Sequence, residues 1–174
     1  MPQDDKALLL RLQEHRVEFV VIGGVCSVLH GASLVTLDLD ICCPFDPVTL
    51  YRIEAAVKNL HPFHRLAANK LPLVLTDELC SRLKNLHLQT DLGILDCLGE
   101  VAGVGDYAAC LRASVVQETS FGRVRTLSLD AIIAAKLSAG REKDLAAVRQ
   151  LRAIKERNEH PREGREAAPG DAPS

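Results

Sequence analysis

The sequence predicts an α+β domain in which a mixed β-sheet carries flanking helices. Strand-like and helix-like patterns alternate through the first half of the chain, and short strand-like runs cluster in the second half. The 174 residues are enough to bury one hydrophobic core. Aromatic residues make up only 3% of the chain and Trp is absent, so this core must be built from Leu, Val, Ile and Ala.

In the first half, each element has its own local signal. Leucines at helical spacing predict the first helix, and a β-branched apolar run predicts a buried strand that Gly23 and Gly24 break. Pro44 ends the second strand, and Asp46 followed by Pro47 is typical of a helix start. In chain order, these signals predict helix 4–15, strand 17–22, helix 25–30, strand 37–43 and helix 46–60.

In the second half, residues 61–83 contain two prolines and predict a strand or an irregular crossover, followed by a short helix over 78–83. Gly93 divides an apolar stretch into two strands, and Ser128 can cap a late helix. The remaining predicted elements are strands 86–92, 94–98 and 123–127 and helices 109–114, 128–138 and 141–157. The domain is predicted to span residues 1–157, and the polar segment 158–174 is predicted to be disordered.

Composition narrows the class of protein. The formal charge of -2 provides no global field that would attract nucleic acid. Apolar runs of membrane-spanning length and the pattern of a signal peptide are both absent, which predicts a cytoplasmic protein. The six cysteines form no C-x-x-C pair and mostly lie in apolar runs, so buried, reduced thiols are expected rather than a zinc site.

The strongest chemical signal is a pair of acids on the second predicted strand. Asp38 and Asp40 point to the same face, with Cα atoms roughly 6.6 Å apart. Solvated acids on an edge strand would show the same spacing. The apolar residues that alternate with the acids anchor the strand, however, and this favours a site for Mg²⁺ or Mn²⁺. The upstream pair Gly23 and Gly24 opens a helix, whose free N–H groups suit phosphate.

These residues resemble a known family. Gly23-Gly24, then His30-Gly31, then Thr36-x-Asp38-x-Asp40 is similar to the nucleotidyltransferase superfamily, which has the fold of DNA polymerase beta. The resemblance is greatest to the small bacterial branch that includes AbiEii-type toxins and minimal nucleotidyltransferase antitoxins. Further similar segments lie downstream, at 90–93, 94–100, 134–136 and 141–144.

The resemblance implies a catalytic site. Asp38 and Asp40 would hold the metal with a third carboxylate, for which Asp96 is favoured and Asp91 is the alternative. Many members carry Ser where this chain has Gly24, so a hydroxyl contact to phosphate would be lost or would come from Ser27. The remaining expectations are a triphosphate contact from Lys136, a supporting role for Thr36, a possible catalytic role for Asp144, and ordinary solvated charges at Arg141 and Lys143.

The function that the resemblance implies is Mg²⁺-dependent transfer of a nucleoside monophosphate from an NTP to a hydroxyl on RNA or protein. A place in a toxin–antitoxin or phage-defence system, with a partner protein or a second copy of the chain, follows from the same resemblance. The alternative is a catalytically weak nucleotide- and metal-binding module that regulates a partner protein. A scaffolding protein with incidental acids is the third hypothesis.

Overall fold

The structure is a computed structural model that describes residues 3–160. Seven helices are present in this part of the chain: α1 Asp5–Glu14, α2 Gly23–Leu29, α3 Pro47–Val57, α4 Asp77–Arg82, α5 Tyr107–Arg112, α6 Leu129–Ala139 and α7 Glu142–Glu159. A 3-10 turn, Lys58–Leu60, continues α3. The end of α7 lies two residues beyond the predicted end, and positions 161–174 of the predicted tail lie outside the described residues.

Local side chains fix where most of these helices begin. The residue before the first turn accepts a hydrogen bond from a backbone N–H that has no partner within the helix, which stabilises the helix start. This cap is made at α1, α3, α4, α5 and α6, by Asp4, Asp46, Thr76, Asp106 and Ser128. Gly140 then ends α6 with a left-handed backbone.

The strands form one large mixed sheet and one small one. The ten strands of the described chain are β1 Val20–Val21, β2 Asp38–Cys42, β3 Phe63–His64, β4 Leu71–Pro72, β5 Asn85–Thr90, β6 Gly93–Leu98, β7 Glu100–Val101, β8 Gly105–Asp106, β9 Ser114–Thr119 and β10 Gly122–Leu127. The large sheet has the order β4-β3-β5-β6-β2-β1-β10-β9, and β7 pairs with β8 separately. Strands β2 and β6 are parallel, as are β1 and β10, whereas the other pairs are antiparallel. The predicted α+β class is therefore confirmed.

The centre of the large sheet separates a fully apolar face from a face that carries acids. Leu39 and Ile41 on β2 are fully buried, and they lie beside Leu95 and Cys97 on β6 in the parallel register. Leucines of α1 are equally buried, and α1 contacts both β2 and α3. Since side chains alternate along a strand, the opposite face receives the residues at the intervening positions.

Strand β9 and the start of helix α2 are among the local features that differ from the predictions. Strand β9 was not predicted, because its exposed Val115 and Val116 lie side by side and do not alternate with polar residues. Complete antiparallel pairing with β10 stabilises this strand instead. Helix α2 begins at Gly23, earlier than the predicted residue 25, so the glycine pair lies inside its first turn.

All six cysteines lie within the described residues, where they are buried and free, as expected. Among residues 3–160, no helix has both the length and the apolar character required to cross a membrane.

Candidate metal and nucleotide site

Three carboxylates converge on the polar face of the central strands. Parallel pairing places Asp40 directly beside Asp96, while Asp38 lies one pleat away on β2. One oxygen from each of the three side chains lies within 4.8 Å of the other two. Asp38 and Asp40 are half-buried and Asp96 is buried. The structure thus brings together the three acids that the sequence and the resemblance favoured.

The electrostatics of this cluster suit a divalent cation. Burial is the largest effect on Asp40, and with the negative charges of Asp38 and Asp96 it raises the pKa of Asp40 to about 6, although Lys136 and Arg141 act in the opposite direction. A cation among the three oxygens would relieve this repulsion, and carboxylate oxygen is the donor that Mg²⁺ prefers. The donor set therefore fits Mg²⁺ or Mn²⁺.

The glycine pair lets the α2 turn approach the carboxylates closely. Gly23 has a φ of +64°, and a Cβ added there would lie 2.1 Å from Oδ2 of Asp40. A Cβ on Gly24 would lie 2.9 Å from Cγ2 of Thr36. Glycine at both positions thus follows from the space taken by the neighbouring side chains. The hydroxyl of Thr36 donates to Asp5 at 3.3 Å, which is outside the carboxylate cluster.

Two residues that the sequence analysis did not single out contact Asp96. Arg65 follows β3, and its Nη2 donates to Oδ2 of Asp96 at 2.5 Å. His87 is paired with Asp96 across β5 and β6, and its Nδ1 lies 3.0 Å from the other carboxylate oxygen, Oδ1. That second contact lacks hydrogen-bonding geometry, since both of its atoms are buried without a hydrogen-bond partner. Asp96 is therefore contacted from the adjacent strand β5 and from the residue that follows β3.

A cavity of about 310 Å³ adjoins the carboxylates. Its lining includes Gly23 and Asp40 from the first site segment and Lys136, Arg141 and Asp144 from α6 and the start of α7. The cavity therefore combines the close-approach glycine, one carboxylate of the cluster and two cationic side chains. This combination of groups suits a metal-bound polyphosphate.

The carboxylate of Asp144 binds both cationic side chains of the cavity. Its Oδ1 accepts from Nζ of Lys136 at 3.3 Å, and its Oδ2 accepts from Nε of Arg141 at 2.5 Å. Burial raises the pKa of Asp144, but the hydrogen bonds and charges of Arg141 and Lys136 outweigh burial and leave this pKa lowered. Asp144 is 2% exposed, so its visible role is to hold Lys136 and Arg141. The side chain of Arg141 is 63% exposed, so Arg141 is a largely solvated charge whose ion pair reaches a buried carboxylate three residues along the chain.

Two sequence candidates lie apart from this arrangement. Ser27 is fully buried, and its hydroxyl donates to the carbonyl of Gly23 at 3.1 Å, so the structure does not place it at the cavity wall. Asp91 lies in the turn between β5 and β6, where its Oδ2 is 2.6 Å from Nδ1 of His61. Asp91 is not part of the carboxylate cluster found among the described residues.

The sequence contained a usable signal for only one of the missed residues. On β5, buried Leu86 and Leu88 alternate with the more exposed His87 and Gln89, a pattern that places His87 on one face of a strand. Arg65 lies in an irregular stretch between two-residue strands, where periodicity gives no orientation.

No protein-family model matches the sequence, and no curated protein matches it. Solved structures do match. A Thermotoga maritima protein provisionally assigned as a nucleotidyltransferase is 21% identical over 86% of this chain and 89% of its own, with a TM-score of 0.52. The lincosamide antibiotic adenylyltransferase LnuA, bound to lincomycin, is 17% identical over 88% of this chain and 99% of its own, with a TM-score of 0.61.

A third similar structure is ANT(2")-Ia in complex with adenylyl-2"-tobramycin. It is 17% identical over 87% of this chain and 95% of its own, with a TM-score of 0.52. Each similarity covers nearly the whole of both proteins, so the shared architecture is that of the complete domain and not of one motif. The chain therefore has the nucleotidyltransferase fold.

Proposed function

We propose that this protein transfers a nucleoside monophosphate from an NTP to a hydroxyl acceptor. The observation that carries the proposal is the convergence of Asp38, Asp40 and Asp96 beside the Gly23 turn, in a chain with the nucleotidyltransferase fold. ATP is proposed as the donor, because LnuA is described as an adenylyltransferase and ANT(2")-Ia is bound to an adenylylated product.

In this proposal, Asp38, Asp40 and Asp96 hold Mg²⁺. The bound ion would offset the charge of the triphosphate and lower the pKa of the acceptor hydroxyl. Lys136 and Arg141 bind the phosphates from the cavity side, held in place by their shared partner Asp144. Gly23 has no Cβ, so the α2 turn lies directly against the carboxylate of Asp40.

The reaction is a substitution at the α-phosphorus. The acceptor oxygen forms a new bond to this phosphorus, the bond between the α-phosphorus and the bridging oxygen breaks, and pyrophosphate leaves. In this proposal the hydroxyl proton passes to Asp96, the third acid of the cluster. Fixed charges and positioning would supply most of the rate enhancement.

Two versions of the proposal differ in the acceptor that receives the nucleoside monophosphate. Transfer to RNA or protein, with a toxin–antitoxin or phage-defence role and a partner protein, rests on the sequence resemblance. Transfer to a hydroxylated small molecule rests on the ligands bound to LnuA and ANT(2")-Ia. A regulatory module that binds a nucleotide without turnover is the alternative to both.

One labelling experiment distinguishes these outcomes. The protein is incubated with Mg²⁺ and each α-labelled NTP, together with total RNA, lysate protein, lincomycin or tobramycin, and the labelled product is identified. Asp38→Ala and Asp96→Ala are expected to lower transfer by more than about 100-fold, which exceeds the usual effect of outer-shell substitutions. Asp91→Ala is the matched control, because Asp91 lies outside the cluster and is half exposed.

Circular dichroism establishes that each variant folds. Undiminished transfer by the Asp38 and Asp96 variants would contradict the proposed site. Binding of an NTP without transfer to any acceptor would favour the regulatory module.

A further inference from the structure

Arg65 reaches the third carboxylate from across the sheet. Its backbone N–H donates to the carbonyl of His87 at 2.9 Å, which continues the pairing of β3 with β5. His87 in turn lies opposite Asp96 on β6. His87, Asp96 and Asp40 therefore form one row across β5, β6 and β2, and Arg65 extends this row beyond the end of β3. The Arg65 side chain crosses β5 to bind Oδ2 of Asp96.

The contacts around Asp96 leave hydrogen-bonding capacity unused. Three buried atoms at this point have no hydrogen-bond partner: Nε of Arg65, Nδ1 of His87 and Oδ1 of Asp96. A buried ion pair that serves only stability normally has its remaining donors and acceptors satisfied, because unpaired buried polar atoms cost free energy. Arg65 is also partly accessible, with 31% of its side chain exposed. The Arg65 side chain is therefore not fully enclosed at this contact.

We propose that Arg65 competes with the divalent ion for Asp96, so that the ion binds weakly alone and enters the site together with the triphosphate. The inference rests on the proposed function. The three carboxylates carry three negative charges when ionised, and the permanent positive charge of Arg65 offsets one of them while occupying an oxygen of Asp96. A cation that approaches Asp96 is repelled by this charge, whereas a metal-bound triphosphate brings negative charge that Arg65 attracts.

Arg65 is accordingly a positioning residue that sets the order of binding. Without nucleotide, its guanidinium holds Asp96 and screens the cluster. With nucleotide, the phosphates offer the guanidinium other oxygen acceptors and free an Asp96 oxygen for the metal. This arrangement would keep the cluster from trapping free cations.

The test is a calorimetric titration of the full chain with Mn²⁺ in the absence of nucleotide. Arg65→Gln keeps a polar side chain but removes the charge, and it is expected to bind Mn²⁺ about tenfold tighter than the wild type. Arg65→Lys keeps the charge and is expected to stay within about twofold of the wild type. Arg123→Gln is the matched control, because Arg123 is exposed on β10 and pairs with Glu118 at 3.1 Å.

Equal or weaker Mn²⁺ binding by Arg65→Gln would overturn the inference, because Arg65 would then only orient Asp96. If Arg65→Gln binds Mn²⁺ no tighter than the wild type and Asp40→Asn loses the binding, the inference is overturned and the proposed metal site is left intact. Absence of Mn²⁺ binding in every form of the protein would instead remove the metal site itself.

A second measurement covers the case in which Arg65→Gln does not fold. The wild type is titrated with Mn²⁺ before and after saturation with a non-hydrolysable ATP analogue. Binding is expected to be at least about tenfold tighter with the analogue, since the analogue draws Arg65 from Asp96 and adds negative charge. Equal affinity with and without the analogue would overturn the inference.

Discussion

Replacing Asp40 with asparagine is expected to make the metal-free protein less sensitive to pH between 5 and 8. Burial, followed by the charges of Asp38 and Asp96, raises the pKa of Asp40 to about 6 in the folded state. An unfolded Asp has a pKa of about 3.9. Between these two values the folded state holds a proton that the unfolded state lacks, so stability is lost as the pH rises through the folded pKa.

The size of this loss follows from the two pKa values. Between pH 5 and pH 8, ionisation of Asp40 is expected to lower the free energy of unfolding by about 1.4 kcal/mol. For a chain of this length, that corresponds to a fall in the melting temperature of about 3–6 °C. Asparagine has no charge to bury beside Asp38 and Asp96, so the free energy of unfolding of the variant does not fall by this amount between pH 5 and pH 8.

The assay is urea denaturation in EDTA at both pH values. The quantity compared is the change in the free energy of unfolding between pH 5 and pH 8, in the wild type and in Asp40→Asn. Glu14→Gln, at an exposed position at the end of α1, is the control for the effect of removing one acidic side chain on the pH dependence of stability. A wild type and an Asp40→Asn variant that lose the same stability over this range would refute the reasoning.

Two further substitutions test the glycine turn and the buried Lys136–Asp144 pair. Gly23→Ala is expected to abolish Mn²⁺ binding in a calorimetric titration, because the added Cβ would lie against Asp40. Gly31→Ala is the control and is expected to bind Mn²⁺, since Gly31 also has a positive φ but no atom lies within 4 Å of its added Cβ. Asp144→Ala is expected to lower the free energy of unfolding, measured by urea denaturation, by about 3–5 kcal/mol, because Lys136 stays buried without its carboxylate partner. A loss below about 1 kcal/mol would contradict the role of Asp144 as the partner of Lys136.

The strand that carries the acid pair could be predicted because its signal is entirely local. Leu39 and Ile41 alternate with Asp38 and Asp40, and alternation alone assigns the two kinds of side chain to opposite faces. The choice of Asp96 over Asp91 also depended on local pattern, since Asp96 lies within a strand. These features require no knowledge of which strands pair.

The contacts of Arg65 could not be predicted, because they join residues that are distant in sequence. They depend on the pairing of β3 with β5 and of β5 with β6, and no local pattern encodes that order. The bond between Arg141 and Asp144 is local in sequence, but its importance comes from Lys136 on the preceding helix. The burial of Lys136 and Asp144 distinguishes this group of charges from an ordinary surface ion pair.

The tight turn that joins β5 to β6 has a consequence for insertions and deletions. Gly93 has a φ of +115°, Thr90 donates to its carbonyl at 2.9 Å, and the side chain of Gln3 accepts from the N–H of Ile94 at 2.7 Å. A shift of β6 by a single residue would turn Asp96 into the apolar layer and bring a hydrophobic neighbour to the polar side. An added residue in this turn that shifted β6 would therefore remove Asp96 from the carboxylate cluster while sparing much of the architecture.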